Sequence, residues 1–122
     1  MANHREPMSE AIFQAQVIRI AKMNGWMVFH PRKVQGRDGR WMTAIQGDIG
    51  FPDLVFAHRL RGLIFAELKS AGGKVEPAQT RWLEELVLAG AEAYIWRPRD
   101  LQDIADRLGR KSRRENHHPS VT

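Results

Sequence analysis

Two short apolar, β-prone runs, residues 54–58 and 63–69, flank Arg59-Leu60-Arg61-Gly62, and this pairing constrains the fold more than any other feature of the chain. Two charges and a glycine between apolar runs read as a hairpin turn. A turn centred on Leu60 sets Asp53, just before the first run, opposite Glu67 in the second. Side chains alternate along a strand with period two, so Asp53, Glu67 and Lys69 share one face near one end of the ribbon. A one-residue slip would put the two acids on opposite faces, so the whole cluster depends on that turn.

Two carboxylates and a lysine in this arrangement point to a divalent metal beside a phosphodiester. Close carboxylates repel, and acids facing a core are costly to bury as ions unless a cation compensates them. Hard oxygen ligands suit Mg²⁺ or Mn²⁺, and Mg²⁺ takes only one or two carboxylates while keeping several waters. Such a metal polarises a scissile phosphate and lowers the pKa of a bound water. Lys69, one pleat beyond Glu67, would orient the attacking water or neutralise developing charge. Glu-x-Lys alone is common as a surface salt bridge on exposed strands; Gly50-Phe51-Pro52-Asp53 one hairpin earlier is what favours the metal-site reading.

Gly50-x-Pro52-Asp53 followed by Glu67-x-Lys69 resembles the signature of the PD-(D/E)XK nuclease superfamily, and more narrowly the virus-type replication-repair nuclease (VRR-NUC) domain. The narrower resemblance rests on Glu10 with Gln14 on an opening helix, Gly25-Trp26 leading into a strand, and Pro77-x-Gln79 opening a helix after the lysine; it spans residues 9–100. It implies that Asp53, Glu67, the backbone carbonyl of Leu68 and Glu10 contact metal, and that Lys69 is the catalytic lysine. Gln79, at the end of its helix stripe nearest Lys69, is the further catalytic candidate, its amide bonding a metal-bound water or a DNA phosphate.

With 122 residues, 43% of them hydrophobic, the chain has room for one domain with one modest core. It has no apolar run of about 18 residues and no signal-peptide pattern, so neither a membrane span nor export is expected. The absence of cysteine excludes disulfides and thiolate zinc sites and fits a reducing compartment, with cytoplasm the expected location. Gly72-Gly73 lacks a following Gly-Lys-Ser/Thr pattern, so no nucleotide cofactor is expected.

The net charge of +5 is unevenly placed: Arg107, Arg110, Lys111, Arg113 and Arg114 against Glu115 carry +4 of it. The tail from Lys111 onward lacks periodic apolar residues and reads as disordered. A nearly neutral body must concentrate its positive charge locally, and residues 32–40 supply Arg32, Lys33, Arg37 and Arg40 against Asp38. These four, with Lys74 in the turn after the lysine, are the expected phosphate contacts.

Ser9 is placed to cap a helix over 9–24 that Gly25 stops, with Phe13, Val17, Ile20 and Ala21 on one stripe and Glu10 and Gln14 able to face inward at its start. Residues 26–30 read as the first strand, ended by Pro31; His30 on it is a structural histidine in preference to a general base. Residues 41–45 form an extra strand or a lid. Pro77 opens a helix that Gly90 ends, residues 91–96 form a further strand, and Asp100 caps a short helix over 101–108. The order helix, strand, strand, strand, helix, strand makes a mixed sheet flanked by helices, an α/β fold consistent with the restriction-endonuclease-like core. The expected organisation is an extension at 1–8, a nuclease domain at 9–109 and a basic tail at 110–122.

The leading functional expectation is a Mg²⁺- or Mn²⁺-dependent DNA endonuclease. The resemblance implies a small viral-type member that acts as a homodimer on four-way (Holliday) junctions in phage recombination or repair, with Trp41, Trp82 or Trp96 as interface anchors. A flap- or nick-directed nuclease of phage replication remains open, as does a DNA-binding module without catalysis.

Overall fold

The computed structural model describes residues 8–31, 34–35, 37–39, 41–42 and 46–109. The chain opens on α1 (Glu10–Met23), followed by β1 (Met27–Phe29), β2 (Val34–Gln35), β3 (Trp41–Met42), β4 (Leu54–His58), β5 (Gly62–Leu68), α2 (Pro77–Leu88), β6 (Glu92–Trp96), a 3₁₀ turn (Pro98–Asp100) and α3 (Leu101–Gly109). The main sheet has the order β1-β4-β5-β6. Its pairs are antiparallel except β5 with β6, which run parallel and are joined through α2.

Each helix end follows from local chemistry. The Ser9 hydroxyl accepts from the Ile12 N–H at 3.1 Å, taking up one of the orphan donors of the first turn of α1. At the other end Trp26 N–H bonds the Ala21 carbonyl and Gly25 N–H bonds the Lys22 carbonyl, a Schellman closure that needs the left-handed φ of +86° found at Gly25. The chain thereby turns directly into β1. Asp100 differs from expectation: its carboxylate accepts from the Arg97 N–H at 2.8 Å, closing the 3₁₀ turn before α3.

The core lies between one sheet face and the pair α1 and α3. Phe13, Val17 and Ala21 of α1 meet Leu54, Phe56, Ile64, Ala66 and Leu68 of the central strands, with Ile104 and Leu108 of α3 and with Trp26. Ile20, placed by its spacing on the α1 stripe, is half-buried against this core. The indole N–H of Trp26 donates to the Leu108 carbonyl at 2.8 Å, so its polar edge is satisfied while its rings are buried. Trp96 is also core, 5% exposed, because its position in β6 pairs it beside Leu68; it is not available as an interface anchor.

The opposite face is only partly covered. α2 lies over the β5–β6 side, burying Leu83 and Ala93. Met27 and Phe29 of β1 and Leu63 of β5 stay exposed at 74%, 60% and 50%. Residues 41–42 do form a strand, but in a separate two-stranded ribbon with β2 and not in the main sheet. The tail from 110 onward, residues 43–45, and Arg32, Lys33 and Arg40 lie outside the described residues. Among the described residues no helix is long and apolar enough to cross a membrane.

Candidate active site

The hairpin register is the one its turn implies. Leu54 pairs with Ala66 and His58 with Gly62, so the ladder is centred on Leu60 and Asp53 falls across from Glu67. β4 begins one residue later, at Leu54, and the Asp53 carboxylate takes over the end of the ladder: Oδ2 accepts from the Leu68 N–H at 3.0 Å.

The residues before Asp53 are wedged. Gly50 has φ +95°, and a Cβ there would lie 2.6 Å from the backbone of Ala78 in α2, so neither the conformation nor the space admits a side chain. Phe51 packs edge-on against Trp82 and Phe65, with ring centroids 5.0 and 5.9 Å away, and Pro52 is fully buried. The Gly-x-Pro-Asp sequence is thus a device that locks the approach to Asp53 between α2 and β5.

Glu67 is the one buried charged residue among those described, at 1% exposure. Its Oε2 accepts from Gln79 Nε2 at 2.8 Å and lies 3.6 Å from Lys69 Nζ. Its Oε1 is buried and has no hydrogen-bond partner among the described residues. Burial first, and the neighbouring Asp53 second, push its pKa up to about 8, against the opposing pull of Lys69. A buried carboxylate oxygen with no donor is costly as an anion, so Oε1 calls for a proton or a cation.

Gln79 is held at both ends of its amide. Its Oε1 accepts from the Glu76 N–H at 2.8 Å, a cap of the first turn of α2, and this fixes the other end of the amide on Glu67. Gln79 thereby orients the acid through one N–H of its amide. Lys69 continues the sheet, its N–H bonding the Trp96 carbonyl at 3.0 Å. The turn after it is gripped by Arg97, whose Nη1 donates to the carbonyls of Ser70 and Gly73 at 2.7 and 2.9 Å.

The donor set fits a hard divalent cation. The orphaned Glu67 Oε1 and the Asp53 carboxylate are oxygen ligands of the kind Mg²⁺ and Mn²⁺ prefer, and the Leu68 carbonyl is the third donor that the resemblance implies. Glu10 is not brought to this pair: it is exposed on the first turn of α1. Among the described residues no cluster of three or more acids or histidines gathers. Of the expected phosphate contacts, Arg37 and Lys74 are exposed.

Three further residues make contacts around the site that no sequence spacing signals. Arg97 is a single arginine after a strand, with no motif to mark it. His30 and Gln14 were singled out, but not for the contact they make: Gln14 Nε2 lies 3.0 Å from His30 Nε2, and His30 Nδ1 lies 3.0 Å from the Asp53 carbonyl.

A mixed α/β sheet that carries Pro-Asp and Glu-x-Lys at adjoining strand ends is the architecture of a PD-(D/E)XK nuclease. The family model described as the VRR-NUC domain matches residues 32–100, more than half of the chain, and the chain belongs to that family. A solved structure described as a VRR_NUC domain protein is similar over 85% of this chain and 93% of its own, with a TM-score of 0.56 at 20% identity, a likeness that concerns the fold. No curated protein matches the chain.

Proposed function

We propose that this nuclease domain is a divalent-metal-dependent DNA endonuclease selective for branched DNA, with the four-way junction as its substrate and a homodimer as its working form. The observation that carries the metal reading is the buried, unpartnered Glu67 Oε1 beside Asp53. Asp53, Glu67 and the Leu68 carbonyl would hold Mg²⁺ or Mn²⁺, which when bound supplies Lewis-acid polarisation of a phosphate and acidifies a water. Gln79 keeps the Glu67 carboxylate in one orientation, with its free oxygen turned away from the amide. Lys69, its side chain 12% exposed and close to Glu67, contributes a fixed positive charge to the developing negative charge on the phosphate and orients the attacking water.

Branched-DNA selectivity is favoured by the resemblance to small viral-type members of the family; recognition of that kind rests on backbone contacts and shape. The exposed Met27, Phe29 and Leu63 on the uncovered sheet face support self-association, which would supply two sites for paired cuts.

The test is cleavage of a labelled four-way junction, a 5′ flap, a nicked duplex and a linear duplex, each with Mg²⁺, Mn²⁺ or chelator. Paired, metal-dependent cuts confined to the junction are expected. Preferential cutting of the flap or nick would replace the junction assignment, and junction binding without cutting under any condition would leave only a binding module.

A further inference from the structure

Asp53 is held at both ends. Its carboxylate is tied to the Leu68 N–H, and its carbonyl is tied to a side chain from a different strand, His30 at the end of β1. A carbonyl only accepts, so the contact at 3.0 Å requires the hydrogen on His30 Nδ1. In the neutral ring Nε2 is then an acceptor, and Gln14 Nε2 lies 3.0 Å away to donate to it. The three groups form one directed chain, from the Gln14 amide through the imidazole to the Asp53 peptide. Each link sets the next: Gln14 selects the tautomer, and the tautomer points a donor at Asp53.

The position of this contact makes it more than a structural bond. β1 pairs with β4 only from Val55 onward, Phe29 to Val55 being the last pair. The His30 side chain thus replaces the ladder where β1 runs out, at the residue that bears the acid. Pro31 follows and cannot donate a backbone hydrogen bond, so an N–H from the next residue is not available to do the same work. With neither ring nitrogen free, His30 is occupied and is not poised as a general base.

We propose that Gln14 and His30 are positioning residues that set the tilt of the Asp53 peptide, and through it the angle at which the Asp53 carboxylate meets a divalent cation. The proposal rests on the metal-nuclease reading above. Outer-shell partners of ligating groups are worth about 10- to 100-fold in metal affinity or activity when removed, and that is the range expected here.

The experiment measures Mn²⁺ affinity by calorimetry on DNA-free protein, together with the Mg²⁺ concentration giving half-maximal cleavage, for wild type, His30→Ala, His30→Asn and Gln14→Leu. His30→Ala should weaken Mn²⁺ binding about tenfold or more and raise the Mg²⁺ requirement in parallel. His30→Asn, whose amide places an N–H near the former Nδ1, should recover most of the loss, and Gln14→Leu should fall between. Thermal melts in chelator distinguish this from loss of fold: a merely structural histidine would lower the melting temperature of both His30 variants while leaving the Mn²⁺ affinity of the folded fraction unchanged. Unchanged affinity in His30→Ala, or no recovery in His30→Asn, overturns the proposal. Wild-type protein that binds no Mn²⁺ overturns the metal-site reading itself, and this proposal with it.

Discussion

Replacing Glu67 by glutamine isolates the electrostatic consequence of burying this acid. In the folded, metal-free chain the Glu67 pKa stands at about 8, from an ordinary value of 4.5. Between those values the folded state keeps a proton that the unfolded chain has lost, so stability is greatest at low pH and falls as pH rises. At about 1.4 kcal/mol per pKa unit, wild-type protein in chelator should lose on the order of 4 kcal/mol between pH 5 and pH 8.5 from this group alone. Glutamine is neutral throughout, can still accept from Gln79, and removes that slope. His58, held below its ordinary value by burial and the charges of Arg61 and Arg59, is the same in both proteins and cancels in the difference. Urea unfolding of both proteins across this range in chelator reads the effect directly. The variant should match wild type near pH 5 and exceed it by a few kcal/mol at pH 8.5. Millimolar Mg²⁺ or Mn²⁺ should restore the wild type at high pH and leave the variant unmoved, because the cation replaces the proton only where a carboxylate can hold it. Parallel curves for the two proteins would refute the claim that burial and Asp53 outweigh Lys69 in disfavouring the Glu67 charge.

Lys69→Ala removes the cation 3.6 Å from Glu67 without removing a metal ligand. Single-turnover cleavage should slow by roughly 10²- to 10³-fold while Mn²⁺ affinity changes little; a wild-type rate would take Lys69 out of the chemistry. Gly50→Ala drives a methyl group into the Ala78 backbone at a φ of +95°. It should lower stability by about 2 kcal/mol or more in urea unfolding, and a neutral result would mean that the segment before Asp53 is not wedged against α2.

The parts of this site that were legible in the sequence are those set by local periodicity. Arg59-Leu60-Arg61-Gly62 marks a two-stranded turn, and period-two alternation then carries Asp53 across from Glu67 over only fourteen residues. The α1 stripe and the Gly25 stop are equally local, and both appear in the structure. What was not legible depends on which elements come together in space. The Gln79 amide is held at one end by the Glu76 N–H and at the other by Glu67, and the bond to Glu67 does not follow from helix spacing. Trp96 looked like a surface anchor because period-two alternation in a short strand does not say which face a second helix layer covers. The contact from His30 to Asp53 joins residues 23 apart and exists because β1 stops where the acid begins. Arg97 holds carbonyls 24 to 27 residues away, a role that no spacing rule encodes.

The central claim is that Asp53 and Glu67 form a metal-binding pair that cuts phosphodiesters. It is tested most directly by incubating purified wild-type and Asp53→Asn protein with a labelled four-way junction while Mg²⁺ or Mn²⁺ is titrated from chelated to millimolar levels. Asparagine preserves the size of the side chain and an acceptor for the Leu68 N–H, so the fold should survive while one anionic ligand is lost. The account predicts strand cleavage by wild type that rises with metal and vanishes in chelator, with junction binding but no cleavage by the variant. Cleavage by wild type in chelator, or equal cleavage by Asp53→Asn at every metal concentration, would contradict it.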